Sequence, residues 1–286
     1  MRPIFGEKPL WFQCILLAAL LLFFFALAAA LILSMPASAY QGQALVTSLV
    51  CALLPSLTYG WLVYREPLRE TGFQPSSNGW YYFLAALIVL VAIPMTQVLA
   101  SWNEGLHLPH SMAAADKWIH DTENSQDGSI KQLLDMPGPA YLIRDLFTMA
   151  LVVAIGEEAL FRGVVQKILV SATRNVHVGV WLGAIFFSAM HFQFLGFFPR
   201  VVLGLVLGYL YVYSGSLWPS IVAHFVYNGS QVVYFYIQQH QVAAHPNPVF
   251  DDNATMPLSY GLLSTALVLA GFVWMRRLKP TPWPST

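Results

Sequence analysis

Charge is what this sequence has least of. Only 10% of its 286 residues are Asp, Glu, Lys or Arg, where a soluble domain carries about a quarter. That scarcity excludes an ordinary soluble globular domain. The 14 basic and 14 acidic residues cancel, so there is no basic footprint for nucleic acid. Cysteine is nearly missing too: Cys14 and Cys51 each lie inside an apolar run. Two such residues cannot build a disulfide framework, their spacing matches no zinc or redox motif, and both read as small hydrophobes. No internal repeat relates two halves of the chain, the pattern many transporters carry.

What is present is long apolar sequence, 57% hydrophobic overall with a mean hydropathy of +0.59. A helix needs about 20 mostly apolar residues to cross the hydrocarbon core. Eight stretches are candidates, the sixth of them short: 10–33, 43–64, 80–101, 140–170, 176–198, 201–213, 217–239 and 258–275. The expected fold is therefore all-α, a polytopic membrane bundle of about eight helices around a buried polar site. With eight spans both termini share a side, which then carries Arg2, Lys8, Arg65, Arg69, Lys167, Arg174, Arg276, Arg277 and Lys279. The other side has Lys117, Lys131, Arg144 and Arg200. The positive-inside rule puts both termini in the cytoplasm, and no organelle signal stands against a plasma (inner) membrane. The one long extramembrane stretch, 103–139, is rich in acids with scattered apolar residues, which suits either interfacial helices or a solvated connector. His107, His110, His120, His177, His240 and His245 fall in loops or at span ends and read as solvated. Trp61, Trp80, Trp102 and Trp218 fit an interfacial belt. Gly204 and Gly208 suit close helix packing.

Ionisable residues at bilayer depth are expensive and by default functional. Here they group: Glu157, Glu158 and Arg162 on the fourth span, His191 on the fifth, His224 with Asn228 on the seventh. Glu158 and Arg162, four apart, share a helix face in the favourable order for an ion pair. Glu157 lies about 100° round the helix and is left as a base of tunable pKa, since two adjacent carboxylates do not both ionise cheaply. His224, Asn228 and Gln231 form one stripe whose groups can donate to a developing oxyanion. Phe187 stands one turn before His191. Counted at about 1.5 Å per residue from Lys167, Glu157 sits roughly 15 Å into the membrane.

Three motifs, Glu-Glu-x-x-x-Arg at 157–162, Phe-x-x-x-His at 187–191 and His-x-x-x-Asn at 224–228, occur in order on separate apolar spans. In them the chain resembles the CPBP family of CAAX proteases and bacteriocin-processing enzymes, also called Abi. The resemblance covers about 140–239, giving a catalytic core flanked by spans one to three with their loop (1–139) and by the last span and tail (240–286). It implies an intramembrane endopeptidase acting on a membrane-associated or lipid-modified protein or peptide. In that scheme Glu157 and His191 activate a water, His224 and Asn228 hold the oxyanion, and Arg162 orients Glu157 and Glu158.

Members have been described both as glutamate peptidases and as metalloproteases. Glu157, His191 and His224 would be the ligands of a zinc site, but no His-Glu-x-x-His occurs and Asn228 is a poor zinc ligand. The reading without a metal is preferred. Other classes stay on the table: an ion- or proton-coupled transporter using the same residues as a relay, or a non-catalytic immunity or scaffold protein. The implied partners are membrane lipid and a lipidated or membrane-held substrate; no oligomeric state follows from the sequence.

Overall fold

A computed structural model describes residues 4–36, 38–241 and 256–278. Arg2, His245, Lys279 and the proline-rich stretch with Pro280, Pro282 and Pro284 lie outside the described residues. Those described form an all-α protein: α1 Leu10–Leu33, α2 Tyr40–Val63, the short α3 Pro67–Thr71, α4 Trp80–Glu104, α5 Ala113–Leu133, α6 Pro139–Thr173, α7 Val176–Ala189, α8 Phe197–Ser214, α9 Leu217–Gln241 and α10 Leu258–Arg277. Six of these, α1, α2, α4, α6, α8 and α10, are long and apolar enough to cross a membrane. The chain is an integral, multi-pass membrane protein. Helix α9 has the length at 25 residues but carries the polar stripe, and α7 has 14 residues.

The helix expected over 176–198 stops at Ala189, and the next begins at Phe197. Pro199 explains where the break falls. It has no N–H and belongs in a first turn, where donors are unsatisfied in any case, and that fixes the start of α8 just ahead of it. Phe192 turns the chain with a positive φ of 53°. Helix α2 is widened to π geometry over Thr47–Leu53, ahead of Pro55, whose ring cannot lie against the carbonyl four residues back. Helix α6 is widened twice, over Leu146–Val152 and Phe161–Val165.

Helix α4 runs through the middle of one core, where Tyr81, Leu84, Ile88 and Val89 pack on Leu203, Leu207 and Leu210 of α8 and Val268 of α10. A second core joins Leu17, Tyr59, Leu160, Phe161, Val164 and Phe187. Leu22 and Phe23 of α1, and Leu262, Leu263 and Leu269 of α10, are exposed, as helices facing lipid tails should be. Lipid is as apolar as leucine, so close approach of backbones has to hold the bundle together. Gly156 of α6 allows one such approach: a Cβ there would lie 2.8 Å from the Ser48 carbonyl oxygen of α2. Gly204 allows another, its Cβ position 3.0 Å from Ala184 of α7. Gly204 and Gly208 thus both meet neighbours within the chain.

Four placements extend or correct the sequence reading. Lys167 is buried, donates to the Glu70 carbonyl and stacks 5.1 Å from the Tyr64 ring, so it is no loop cation from which to measure depth. Trp218 is partly buried and donates its indole N–H to Phe73 O at 2.8 Å, so it also carries a structural bond. Arg200 sits inside α8 and not in a loop. Within 103–139 a single long helix, α5, forms, and His120 lies on it half-buried.

The start of α5 is tied down by Asp116, which accepts from Leu108 N at 2.8 Å and meets His107 Nδ1 at 3.1 Å. The Leu108 N–H first, and then His107, hold this carboxyl below its usual value. A lowered acid stabilises the fold above its unfolded pKa and stops doing so as pH falls through the folded one. We expect hydrogen-exchange protection of the Leu108 amide to be full at neutral pH and to fall only below the ordinary Asp range, around pH 4. Protection already lost at pH 6 would show that the Asp116 carboxylate does not hold the Leu108 amide.

Candidate active site

Glu157 and Glu158 project from α6 between its two widened turns. Their environments differ. Glu158 is fully buried and takes three donors: Arg162 Nη1 at 2.9 Å, His224 Nδ1 at 2.9 Å and Ser220 Oγ at 2.5 Å. Arg162, 2% exposed, also gives Nη2 to Gly204 O at 3.2 Å and lies 4.6 Å above the Phe187 ring. The ion pair expected between Glu158 and Arg162 therefore exists, inside a larger network that includes His224 and Ser220. Ser220 belongs to it and was not foreseen, though it stands one turn before His224 on the polar stripe.

Glu157, its side chain 20% exposed, faces the two imidazoles: Oε1 is 3.8 Å from His191 Nε2, and Oε2 is 3.8 Å from His224 Nε2. The ring tautomers follow from the other nitrogens. His191 Nδ1 lies 2.8 Å from Phe187 O, and a carbonyl only accepts, so Nδ1 carries the proton. His224 Nδ1 meets a carboxylate already paired to arginine, so it also carries a proton. Both Nε2 atoms are thus aimed at Glu157 across a gap too long for a direct hydrogen bond. Phe187 packs edge-on against His191, ring centroids 4.9 Å apart, and 6.1 Å from His224, which fixes both rings.

These groups open on a cavity of about 680 Å³. Glu157, His191, His224, Asn228 and Gln231 line it, so four of the six residues singled out by sequence reach one space, while Glu158 and Arg162 stand behind them. Asn228 Nδ2 makes only a long 3.5 Å contact to Met149 O, leaving its amide available. The walls also include Thr47 and Ser48 of α2, Thr96 and Gln97 of α4, and Ile130 of α5. The cavity therefore draws on both sides of residue 139. Arg200 and Tyr227 line it as well, and the sequence reading missed both. Tyr227 is adjacent to Asn228 in an apolar helix; nothing in its spacing marked it.

The loop after His191 is held by residues of α4 and α5. Asn103 gives Nδ2 to Phe194 O at 3.0 Å and accepts from Phe198 N at 2.9 Å. Glu123 of α5 accepts from Leu195 N at 2.6 Å. Helix α5 thereby fixes the segment that carries His191.

As they stand, the three side chains are spaced more widely than the ligands of a closed zinc site. Ligand atoms around tetrahedral zinc stand roughly 3.3 Å apart at bond lengths of about 2.0–2.1 Å. Glu157, His191 and His224 do not offer three such atoms within 4.8 Å of one another. Among the described residues His107, Asp116 and His120 do. In that cluster, however, His107 Nδ1 is bonded to Asp116 Oδ2, and His120 Nδ1, at 2.9 Å, to the Asp116 carbonyl.

The fold and site together define a membrane-embedded helix bundle with a carboxylate and two imidazoles gathered in an internal cavity. Residues 139–230 match the family model described as type II CAAX prenyl endopeptidase Rce1-like. The uncharacterized protein YpbD of Bacillus subtilis is 32% identical over 162 residues, which is 54% of this chain and 78% of that protein. No solved structure matches. The chain belongs to the Rce1-like type II CAAX prenyl endopeptidase (CPBP) family. Membership implies a peptidase within the membrane and membrane-associated protein substrates.

Proposed function

We propose that the protein is an intramembrane endopeptidase of glutamate type, with 140–239 as its catalytic core and the flanking 1–139 and 240–286 as supporting segments. The observation that carries this reading is Glu157, equidistant at 3.8 Å from His191 Nε2 and His224 Nε2 in a cavity large enough for peptide. Glu157 and His191 both present acceptors. A water between them gives a hydrogen to each and keeps its lone pairs for a carbonyl carbon. As the oxygen attacks, Glu157 takes the proton. The oxyanion then receives N–H groups from Asn228 Nδ2 and from His224 Nε2. Donation from His224 requires its doubly protonated ring, and the Glu158 carboxylate at Nδ1 faces that cation. The proton held by Glu157 passes to the leaving amine as the C–N bond breaks, so water ends as one carboxyl oxygen and two hydrogens on the products. No step is drawn through zinc, given the spacing of the donors.

With α7 and α9 counted as membrane helices the bundle has eight, and both termini are cytoplasmic, in a plasma (inner) membrane. Withdrawing Lys167 and Arg200 from the loop cations removes one from each side and leaves the excess of Lys and Arg on the terminal side in place. A membrane-held protein or peptide, lipid-modified or not, is the substrate class that a cavity within the bundle suits.

The deciding experiment is mass spectrometry of the products that purified protein releases from a membrane-presented peptide library, compared with Glu157→Gln. Cleavage by the native protein only supports the reading; cleavage by neither leaves a transporter or a silent scaffold. Asn228→Ala is expected to lower kcat about 10²–10³-fold, the size for one oxyanion donor. A change in KM alone would mark Asn228 as a binding residue.

A further inference from the structure

Arg200 is the one cation on the cavity wall that the proposed chemistry leaves unused. It stands in the first turn of α8, partly buried, facing the same space as Glu157 and His191. A partly buried guanidinium is costly unless it is paired. No ion pair among the described residues includes it. Its hydrogen bonds are to neutral groups, Nη2 to Gln193 Oε1 at 2.6 Å and Nη1 to Gln193 O at 3.3 Å, while the carboxylates of Glu123 and Glu157 act on it from beyond ion-pair distance. Those use two of the five N–H groups of arginine.

The backbone has been shaped around this side chain. Gln193 and Gly196 belong to the loop that follows His191, and a Cβ at residue 196 would run into the guanidinium. The Arg200 amide closes the loop on Gly196 O at 3.3 Å. So the loop that places His191 also cradles the arginine, while among the described residues its remaining donors have no hydrogen-bond partner. The cavity around it is mostly apolar, with Leu203, Val232 and Phe235 on its walls. A fixed planar fork in apolar surroundings is the device proteins use for bidentate carboxylate recognition.

We propose that Arg200 is a carboxylate-binding subsite that anchors one end of the substrate beside Glu157. This rests on the reading of the cavity as a peptide-binding cleft. The carboxylate has two sources in a peptide, the chain terminus and an Asp or Glu side chain. A phosphate of a lipid headgroup would be a different ligand, and the position of Arg200 in the same cavity as the candidate base favours the peptide.

The test uses hydrophobic peptides of about ten residues in bicelles, each made as the free acid and as the C-terminal amide, with and without an internal Asp. Binding is read first, with the Glu157→Gln protein, so the subsite is decided whether or not cleavage occurs. We expect the acid to bind about 10- to 100-fold more tightly than the amide, the range for a charge-assisted bond. Adding Arg200→Gln should erase that difference, and Arg200→Lys, which keeps the charge without the fork, should restore part of it. Dependence on the internal Asp in place of the terminus would assign the side-chain source. Equal binding of all four peptides, or competition by anionic lipid in place of peptide acid, overturns the proposal. Where the native protein also cleaves, Arg200→Gln should act through KM for the acid and leave kcat within a few-fold. A loss of kcat for acid and amide alike would make Arg200 only a support for the His191 loop. Failure of the subsite would leave cleavage itself, and its dependence on Glu157, untouched.

Discussion

Glu157→Gln is expected to lower kcat by about 10²–10⁴-fold, the usual contribution of a general base, with the fold intact. Glutamine keeps the size and hydrogen-bonding shape of the side chain, and Glu157 already faces the cavity and not the packed core, so the substitution leaves no buried charge behind. Glu158 cannot stand in for it. Both its oxygens are occupied by Arg162, His224 and Ser220, and it has no face on the cavity. His191→Ala should cost a similar factor, because the same water loses its second acceptor. The measurement is kcat on a cleaved library peptide, alongside the thermal midpoint of the detergent-solubilised protein. Full activity of Glu157→Gln with an unchanged midpoint would remove Glu157 from the chemistry. Activity that instead follows added zinc through repeated chelation would mean that the imidazoles close in on a metal, against the spacing seen here.

The part of this site that could be read from sequence is the part written at helical spacing. Glu158 with Arg162, and His224 with Asn228, are each four apart on one helix, and hydropathy had already placed both helices in the membrane. Rarity did the rest: in an apolar span an ionisable residue stands out because burying it has to be compensated. What spacing does not encode is which wall a second helix presents. Thr96 and Gln97 of α4 look like ordinary polar residues in a long span, and they reach the cavity only because Tyr81, Leu84 and Ile88 pack α4 against α8. Arg200 was misplaced for a related reason. A run of apolar residues on either side of Phe192 reads as continuous helix; Pro199 sets where the next helix starts, but the path of the loop before it is held by Asn103 and Glu123, about 70 to 95 residues away in sequence. The widened turns of α6 shifted no conclusion, because Glu158 and Arg162 still meet at 2.9 Å.

Arg162→Met is expected to destabilise the protein by about 3–5 kcal/mol, the cost of leaving one member of a buried ion pair alone. Methionine fills much of the space against Phe187, so lost packing is the smaller part. The larger part is Glu158, fully buried, which would keep Ser220 and His224 but lose its only permanent positive partner. The double variant Glu158→Gln/Arg162→Met removes both charges and should recover most of the loss, since replacing a whole buried pair is often close to neutral. A single-variant cost under about 1 kcal/mol would mean that Glu158 is not charged in the folded protein. Stability and activity should then separate. In the double variant glutamine no longer holds a negative charge at His224 Nδ1, so the ring loses the partner that faces it when Nε2 donates. The recovered fold should remain slow in kcat, near the level of Asn228→Ala. Recovery of both together would show that the buried pair only holds the helices, and that His224 needs no carboxylate behind it.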